Sequence, residues 1–285
     1  MENFVLITGA SSGIGEQTVR LLINHGYSVL ATIRTKTDAD RLRSTYGVKV
    51  HPLLMDVTQQ YQVDRAFEEA ARIVGNNDLV AIINNAGIAV NGAVLYVPID
   101  EWKTQFEINL FGVIRTTQTF FPLLKKELPS NQHPRRIINI SSISGLFASP
   151  FLGPYASSKF ALEAMSDALR RELFMYDIQV VLIEPGSIRT PIWIKAKEKP
   201  TYFGPEHDGI LAFKDKVIDK NIQESLAPEA IDKVMLKAIS GKRVKPRYII
   251  KSGKWKFQLI RLLPTRLVDK MIRKNLQSRS GIRPF

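Results

Sequence analysis

The chain contains no cysteine, so disulfides and thiolate catalysis are both excluded, which agrees with a reducing compartment. Histidine is scarce as well. The four present, His25, His51, His133 and His207, lack metal-ligand spacing, and no metal is expected. No apolar run approaches the roughly 18 residues a membrane-spanning helix needs. The sequence enters an apolar run at Phe4-Val5-Leu6-Ile7 with no basic region or cleavage site ahead of it, so no signal peptide is expected. Acid is nearly absent from one end. From Lys242 onward fourteen Lys and Arg face Asp269 alone, whereas residues 1–241 hold 26 basic and 26 acidic residues. The whole net charge of +13 therefore sits in the tail, and arguments about charged partners belong there.

The 285 residues, 45% of them hydrophobic, suit one large α/β domain. Short apolar runs at 4–7, 28–33, 48–54, 80–83, 136–140 and 179–183 alternate with stretches of helical period. That rhythm predicts a single doubly wound domain, its mostly parallel sheet covered by helices on both faces. Ligands of such sheets bind beyond the carboxyl ends of the strands. The rhythm breaks at 187–226, where Pro191, Pro200, Gly204, Pro205 and Gly209 interrupt Trp193, Tyr202, Phe203, Leu211 and Phe213. A loop this long is usually functional. The expected organisation is a catalytic body over 1–241 and a basic amphipathic helical extension over 242–285.

The chemistry-bearing residues fall at the expected strand ends. Gly9, Gly13 and Gly15, in Thr8-Gly9-Ala10-Ser11-Ser12-Gly13-Ile14-Gly15, follow a strand and open a helix, where backbone N–H groups can receive a pyrophosphate. Their GxxxGxG spacing differs from the GxGxxG dinucleotide fingerprint. Further on, Tyr155 and Lys159 stand four apart and so share one helix face. A tyrosine of pKa roughly 10 is a poor base at neutral pH, and a nearby ammonium lowers that value. Taken alone, such a pair is commonly solvated surface. Here it closes a series: glycine loop, Asn84-Asn85-Ala86-Gly87, Asn109, Ser142, Tyr155, Lys159, then Pro185-Gly186.

With that series the chain resembles the classical short-chain dehydrogenases/reductases, closely over about residues 4–190. The resemblance implies that Asn109, Ser142, Tyr155 and Lys159 form the catalytic set; Ser142, thirteen residues before Tyr155, takes the family serine position over Ser141 and Ser144. It further implies a cofactor held by Gly9, Ser11, Ser12, Gly13, Ile14, Gly15, Arg34, Asp56, Val57, Asn85, Ile188 and Thr190 together with Tyr155 and Lys159. Ile33 stands where NAD-preferring members carry Asp, and Arg34 where NADP-preferring members carry Arg, so NADP(H) is expected in preference to NAD(H). Thr35 and Lys36 are candidate helpers for the extra phosphate. By the same likeness Asn109 holds a water that links Lys159 to solvent, and the 187–226 loop closes over substrate. Asp56 is equally a turn residue before the next helix.

The stretch 155–173 with Ile183-Glu184-Pro185-Gly186 looks most like the retinol and 17β-hydroxysteroid dehydrogenase branch. That implies an alcohol and its carbonyl on a steroid-, retinoid- or lipid-like body, and a homodimer or homotetramer formed through the helix carrying Tyr155. The expected place of work is the cytoplasm. Trp255, Phe257, Leu259, Leu262, Leu267 and Met271 are interleaved with cations, and Pro264 divides the tail into two short helices. Two readings stand for it: a peripheral membrane contact through residues 242–285, or apolar residues capping the body or a subunit interface. No nucleic-acid partner is expected. The alternative to an enzyme is a catalytically silent Rossmann-type module that senses NADP(H).

Overall fold

Apolar runs without polar alternation need cover on both faces, and in the computed structural model of the chain they form the strands of one sheet. The structure describes residues 2–125, 135–198, 202–204 and 225–280. Its elements in chain order are β1 (Asn3–Ile7), α1 (Gly13–Asn24), β2 (Ser28–Ile33), α2 (Lys36–Tyr46), β3 (Val50–Leu54), α3 (Gln60–Val74), β4 (Asp78–Asn84), α4 (Ile99–Phe106), a π-helical turn (Glu107–Phe111) and α5 (Gly112–Leu124). Then follow β5 (Arg135–Ile140), α6 (Gly153–Glu172), β6 (Ile178–Pro185), α7 (Pro191–Glu198), α8 (Asp232–Ser240), β7 (Arg247–Ile250), α9 (Lys254–Leu262) and α10 (Thr265–Ser280).

The strand order is β3-β2-β1-β4-β5-β6-β7, and every pairing is parallel. Alternate residues of one strand feed two cores. Phe4 and Leu6 pack with Ala66 and Ala70 of α3 and Phe120 of α5, whereas Val5 and Ile7 pack with Val19 and Leu22 of α1 and Met235 of α8. The order reverses between β1 and β4, which opens a crevice at the carboxyl edge.

Three features differ from the sequence expectation. The third strand begins at Val50 because residues 47–49 form a 3-10 turn after Gly47, whose φ is +67°. A seventh strand, β7, pairs with β6 from Leu182↔Arg247 to Pro185↔Ile250, so the sheet runs past the boundary expected at residue 241. Part of the expected 187–226 loop is the helix α7; residues 199–201 and 205–224, which include Pro200, Pro205, Gly209, Leu211 and Phe213, lie outside the described residues. Among the described residues no helix is long and apolar enough to cross a membrane.

Candidate active site

The loop between β1 and α1 is shaped by glycines that no other residue replaces. Gly9 and Gly13 adopt φ of +65° and +59°, a left-handed conformation that glycine alone adopts without cost. At Gly15 a Cβ would lie 2.2 Å from the Gly9 carbonyl oxygen. Asn85 locks the loop from β4: its Nδ2 donates to the carbonyls of Thr8 (2.9 Å) and Gly9 (3.0 Å). The Thr8 hydroxyl accepts in return from the amides of Asn85 (2.9 Å) and Ala86 (3.0 Å). Ser12 caps α1 with its backbone only, so its side chain leaves the first-turn amides open at the positive end of the helix. Arg41 of α2 braces the loop's outer side through the Ser11 carbonyl, at 2.6 Å, and Glu16.

This loop borders a cleft of about 500 Å³ at the carboxyl edge, a size suited to a cofactor and a small substrate. Of the catalytic and cofactor-binding residues expected from sequence, all line it except Gly15, buried beneath the loop, and Asn109. At the β2 end, apolar Ile33 is buried while Arg34 is exposed and makes no hydrogen bond or ion pair with a described residue. Thr35 and Lys36 do not line the cleft; Thr35 caps α2, accepting from the Asp38 amide at 3.1 Å. Asp56 receives the Thr58 amide (2.9 Å) and hydroxyl (2.8 Å), the turn expected of it, and stands in the cleft wall. From β2 to β5 the cleft crosses three strand spacings, about 14 Å.

At the β5 end stand Ser142, Tyr155 and Lys159. The Ser142 hydroxyl accepts from the Ser144 amide at 3.1 Å and lies 3.4 Å from the Pro185 carbonyl oxygen at the end of β6. Tyr155 and Lys159, on the first turns of α6, are 5% and 6% exposed. The Lys159 ammonium donates to the Ile140 carbonyl at 2.8 Å and lies 5.9 Å from the centre of the Tyr155 ring. Burial pushes the Tyr155 hydroxyl above its ordinary pKa, against a hydrogen bond with Ser142. Burial also pushes Lys159 down to about 8, against the charge of Glu163. Desolvation thus sets the direction for the tyrosine, opposite to the lowering expected from the lysine. The result is a neutral phenol, which is a proton donor, beside an ammonium that is still mostly protonated at neutral pH.

Asn109 is fully buried on the π-helical turn and makes no hydrogen bond with Lys159. Its Oδ1 accepts from the Ile88 amide (2.9 Å), and its Nδ2 donates to the Ile88 carbonyl (3.1 Å) and the Ser158 hydroxyl (3.2 Å). Gln105, four residues earlier, repeats the pattern: it accepts from the Val90 amide at 2.7 Å and donates to the Ile88 carbonyl at 2.9 Å. The pair clamps the strip Ile88–Val90, of which Ile88 and Ala89 line the cleft. Gln105 was missed in the sequence, where the amide spacing of four was its one signal. Beside the strip Ala89, Tyr155, Ala196 and Ile192 make a small apolar cluster.

Behind α6 lies a charged cluster that no motif announces. Arg247 of β7 meets Glu163 (3.0 Å) and Asp167 (3.0 Å) of α6 and Glu184 (3.3 Å) of β6. Glu184 has no solvent exposure, and neither of its oxygens has a well-formed hydrogen bond. Burial and the neighbouring Glu163 charge push Glu184 up to about 7, against the charges of Arg247, Arg261 and Lys254. Among the described residues no group of histidines and carboxylates is arranged to hold a metal ion.

Open amides at a helix start, glycines packed too tightly for a Cβ, an arginine without a partner among the described residues at one end and a buried tyrosine at the other fit a nicotinamide dinucleotide. The comparisons with known proteins agree. Residues 3–201 match the family model described as short chain dehydrogenase. The chain is 38% identical over 276 residues, 96% of its length and 97% of the relative's, to an NADPH-dependent 3-dehydrocapnine reductase of Ornithobacterium rhinotracheale. It is 37% identical over 201 residues, 69% of its length and 61% of the relative's, to 17-beta-hydroxysteroid dehydrogenase type 6 of Bos taurus. Among solved structures, a short-chain dehydrogenase from Streptomyces avermitilis superposes with a TM-score of 0.76 at 25% identity, covering 98% of this chain and 96% of its own. The chain therefore belongs to the short-chain dehydrogenase/reductase family and is an oxidoreductase that binds a nicotinamide nucleotide.

Proposed function

We propose that the protein interconverts an alcohol and a ketone or aldehyde on a hydrophobic, steroid-, retinoid- or lipid-like body, with NADP(H) preferred over NAD(H). The observation that carries this reading is one cleft with Ser142, Tyr155 and Lys159 at one end and Arg34, with no carboxylate at position 33, at the other. Gly9, Ser11, Ser12, Gly13, Ile14 and Gly15 receive the pyrophosphate. Arg34 takes the 2′-phosphate, Asp56 and Val57 the adenine, Asn85 the adenosine side, and Ile188 and Thr190 the nicotinamide carboxamide. When bound, the reduced cofactor supplies a hydride.

The chain's own groups manage the oxygen and its proton. Ser142 donates a hydrogen bond to the substrate carbonyl oxygen and so holds it beside Tyr155. The neutral Tyr155 hydroxyl gives its proton to that oxygen as negative charge develops there. The Lys159 ammonium, held by the Ile140 carbonyl, then stabilises the phenolate left behind. Asn109 holds the Ile88 wall and is proposed to complete the path by which Lys159 recovers a proton. The apolar cluster of Ala89, Ile192 and Ala196 next to Tyr155 favours an apolar substrate. The NADPH dependence of the Ornithobacterium relative and the steroid named for the bovine one support cofactor and substrate class.

The protein is proposed to work in the cytoplasm, peripherally at a membrane surface, as a homodimer or homotetramer through α6. Phe160 on α6 and Phe111 just before α5 remain exposed, as such an interface needs. Nicotinamide absorbance with NADPH over a panel of retinoid, steroid and long-chain 3-oxo carbonyl compounds tests the reading. Tyr155→Phe should bind NADPH as the wild type does and turn over about a thousandfold more slowly. Turnover undiminished in that variant would remove Tyr155 from the chemistry.

A further inference from the structure

The C-terminal extension is rooted beside the cleft. Phe257 of α9 is buried edge-to-face on Phe147, five residues past Ser142, with ring centres 6.4 Å apart. Lys251 lays its stem against Gly186, where a Cβ would meet it at 3.2 Å, and Arg247 anchors β7 on α6. From this root α9 turns its other face outward. Trp255, Leu259 and Leu262, at i, i+4 and i+7, are 61%, 54% and 81% exposed, and Leu267 and Met271 repeat the i, i+4 stripe on α10.

Cations flank both stripes: Lys254, Lys256 and Arg261 on α9, and Arg266, Lys270, Arg273 and Lys274 on α10, against Asp269 alone. None of the seven forms an ion pair with a described residue; Lys256 instead stands 5.3 Å from the centre of the Trp255 ring. Such charge speaks against a second copy of this chain as the occupant, since face-to-face pairing would press seven cations on seven. A nucleic acid would satisfy the cations and leave the leucines and Trp255 in water. An anionic lipid surface matches both, because headgroups take the cations while the apolar stripe enters the acyl boundary and Trp settles at the interface between them.

We propose that α9 and α10 dock the protein on an anionic lipid surface through Trp255, Leu259, Leu262, Leu267 and Met271 and the seven flanking cations. The docked face is one aromatic contact away from the turn that carries Ser142. Docking rests on residues the redox chemistry does not use, so it holds or fails independently of the proposed substrate.

Sedimentation of the full-length protein with phosphatidylcholine vesicles, with and without phosphatidylglycerol, tests it. Binding should appear with phosphatidylglycerol and weaken at high salt. Leu259→Glu, an exposed change that leaves folding and NADPH oxidation intact, should reduce partitioning by about tenfold or more. Charge reversal at Lys254, Lys256 and Arg261 together should abolish it. Equal binding to neutral vesicles, or binding indifferent to both variants, overturns the proposal. Two other results would also overturn it: duplex DNA bound with equal strength by wild type and Leu259→Glu, or a dimer that Leu259→Glu dissociates while vesicles stay unbound.

Discussion

The guanidinium Nε of Arg247 lies 3.0 Å from Glu163 Oε2, joining the last strand of the sheet to α6 one turn beyond Lys159. The contact explains why a short edge strand in a basic tail belongs to the body: its arginine is the cation shared by Glu163, Asp167 and Glu184. Removing one partner of a largely buried ion cluster costs more than the cluster contributes, because the remaining charges stay desolvated. Arg247→Ala should therefore lower unfolding free energy by about 2–3 kcal/mol, discounted for the partial exposure of the arginine. Urea unfolding at pH 8 measures it. A loss below ~0.5 kcal/mol would make the cluster a solvated ornament of the surface.

Glu184 supplies a pH dependence of known sign. Its folded pKa of about 7 stands above the ordinary carboxylate value of 4.5. Between those values the folded state holds a proton the unfolded chain has released, so this group costs stability as pH rises through that window. Above about pH 7 the cost is complete; below 4.5 it is absent. Glu184→Gln carries no such cost. Its stability relative to wild type should rise from pH 5 to pH 8 by an amount on the order of 2 kcal/mol and then level off. Paired denaturation curves across that range read the difference directly, and a difference that stays flat or runs the other way would mean that Arg247 keeps the carboxylate ionised throughout.

What was legible in the sequence follows from the range of the forces involved. The glycine loop, the strand rhythm and the spacing of Ser142, Tyr155 and Lys159 are local patterns, and each reappears at the carboxyl edge of the sheet. Strand β7 was hidden because Arg247-Tyr248-Ile249-Ile250 lies among six other cations of the tail from Lys242 to Lys256, where charge masks a short apolar signal. The π-helical turn was hidden because nothing in Glu107-Ile108-Asn109-Leu110-Phe111 departs from helical composition; the burial of Asn109 against Ile88 is a tertiary outcome. Arg136 shows the same limit. A strand residue with a full charge reads as edge or surface, yet it is buried and donates to the carbonyls of Ala238 (3.1 Å) and Gly241 (3.0 Å), more than a hundred residues away, at the end of α8.

Gly15 is the sharpest steric test of the loop. A methyl group there would stand 2.2 Å from the Gly9 carbonyl oxygen and 2.7 Å from Asn85 Nδ2, both parts of the framework that joins β1 to β4. Neither can yield without breaking the bonds Asn85 makes to Thr8 and Gly9. Gly15→Ala should keep its secondary structure by circular dichroism and lose NADPH affinity by about a hundredfold, as expected for a displaced set of charge-assisted amide contacts. Fluorescence titration decides it, and near-wild-type affinity would show that the loop relaxes freely.

Arg34 tests the cofactor preference at the other end of the cleft. It is exposed, lines the pocket and has no partner among the described residues, while Ile33 beside it offers no acceptor to a ribose hydroxyl. A charge-assisted contact from a guanidinium to a phosphate contributes about 1.5–3 kcal/mol. Arg34→Ala should therefore raise the KM for NADPH by roughly ten- to a hundredfold and leave that for NADH within about twofold. Adding Ile33→Asp should improve NADH, because the carboxylate accepts from the ribose hydroxyls and repels a 2′-phosphate. The comparison needs both cofactors with one substrate. Equal losses with NADPH and NADH would place Arg34 in loop stability, and an unchanged NADPH KM would return it to an ordinary surface charge at the start of α2.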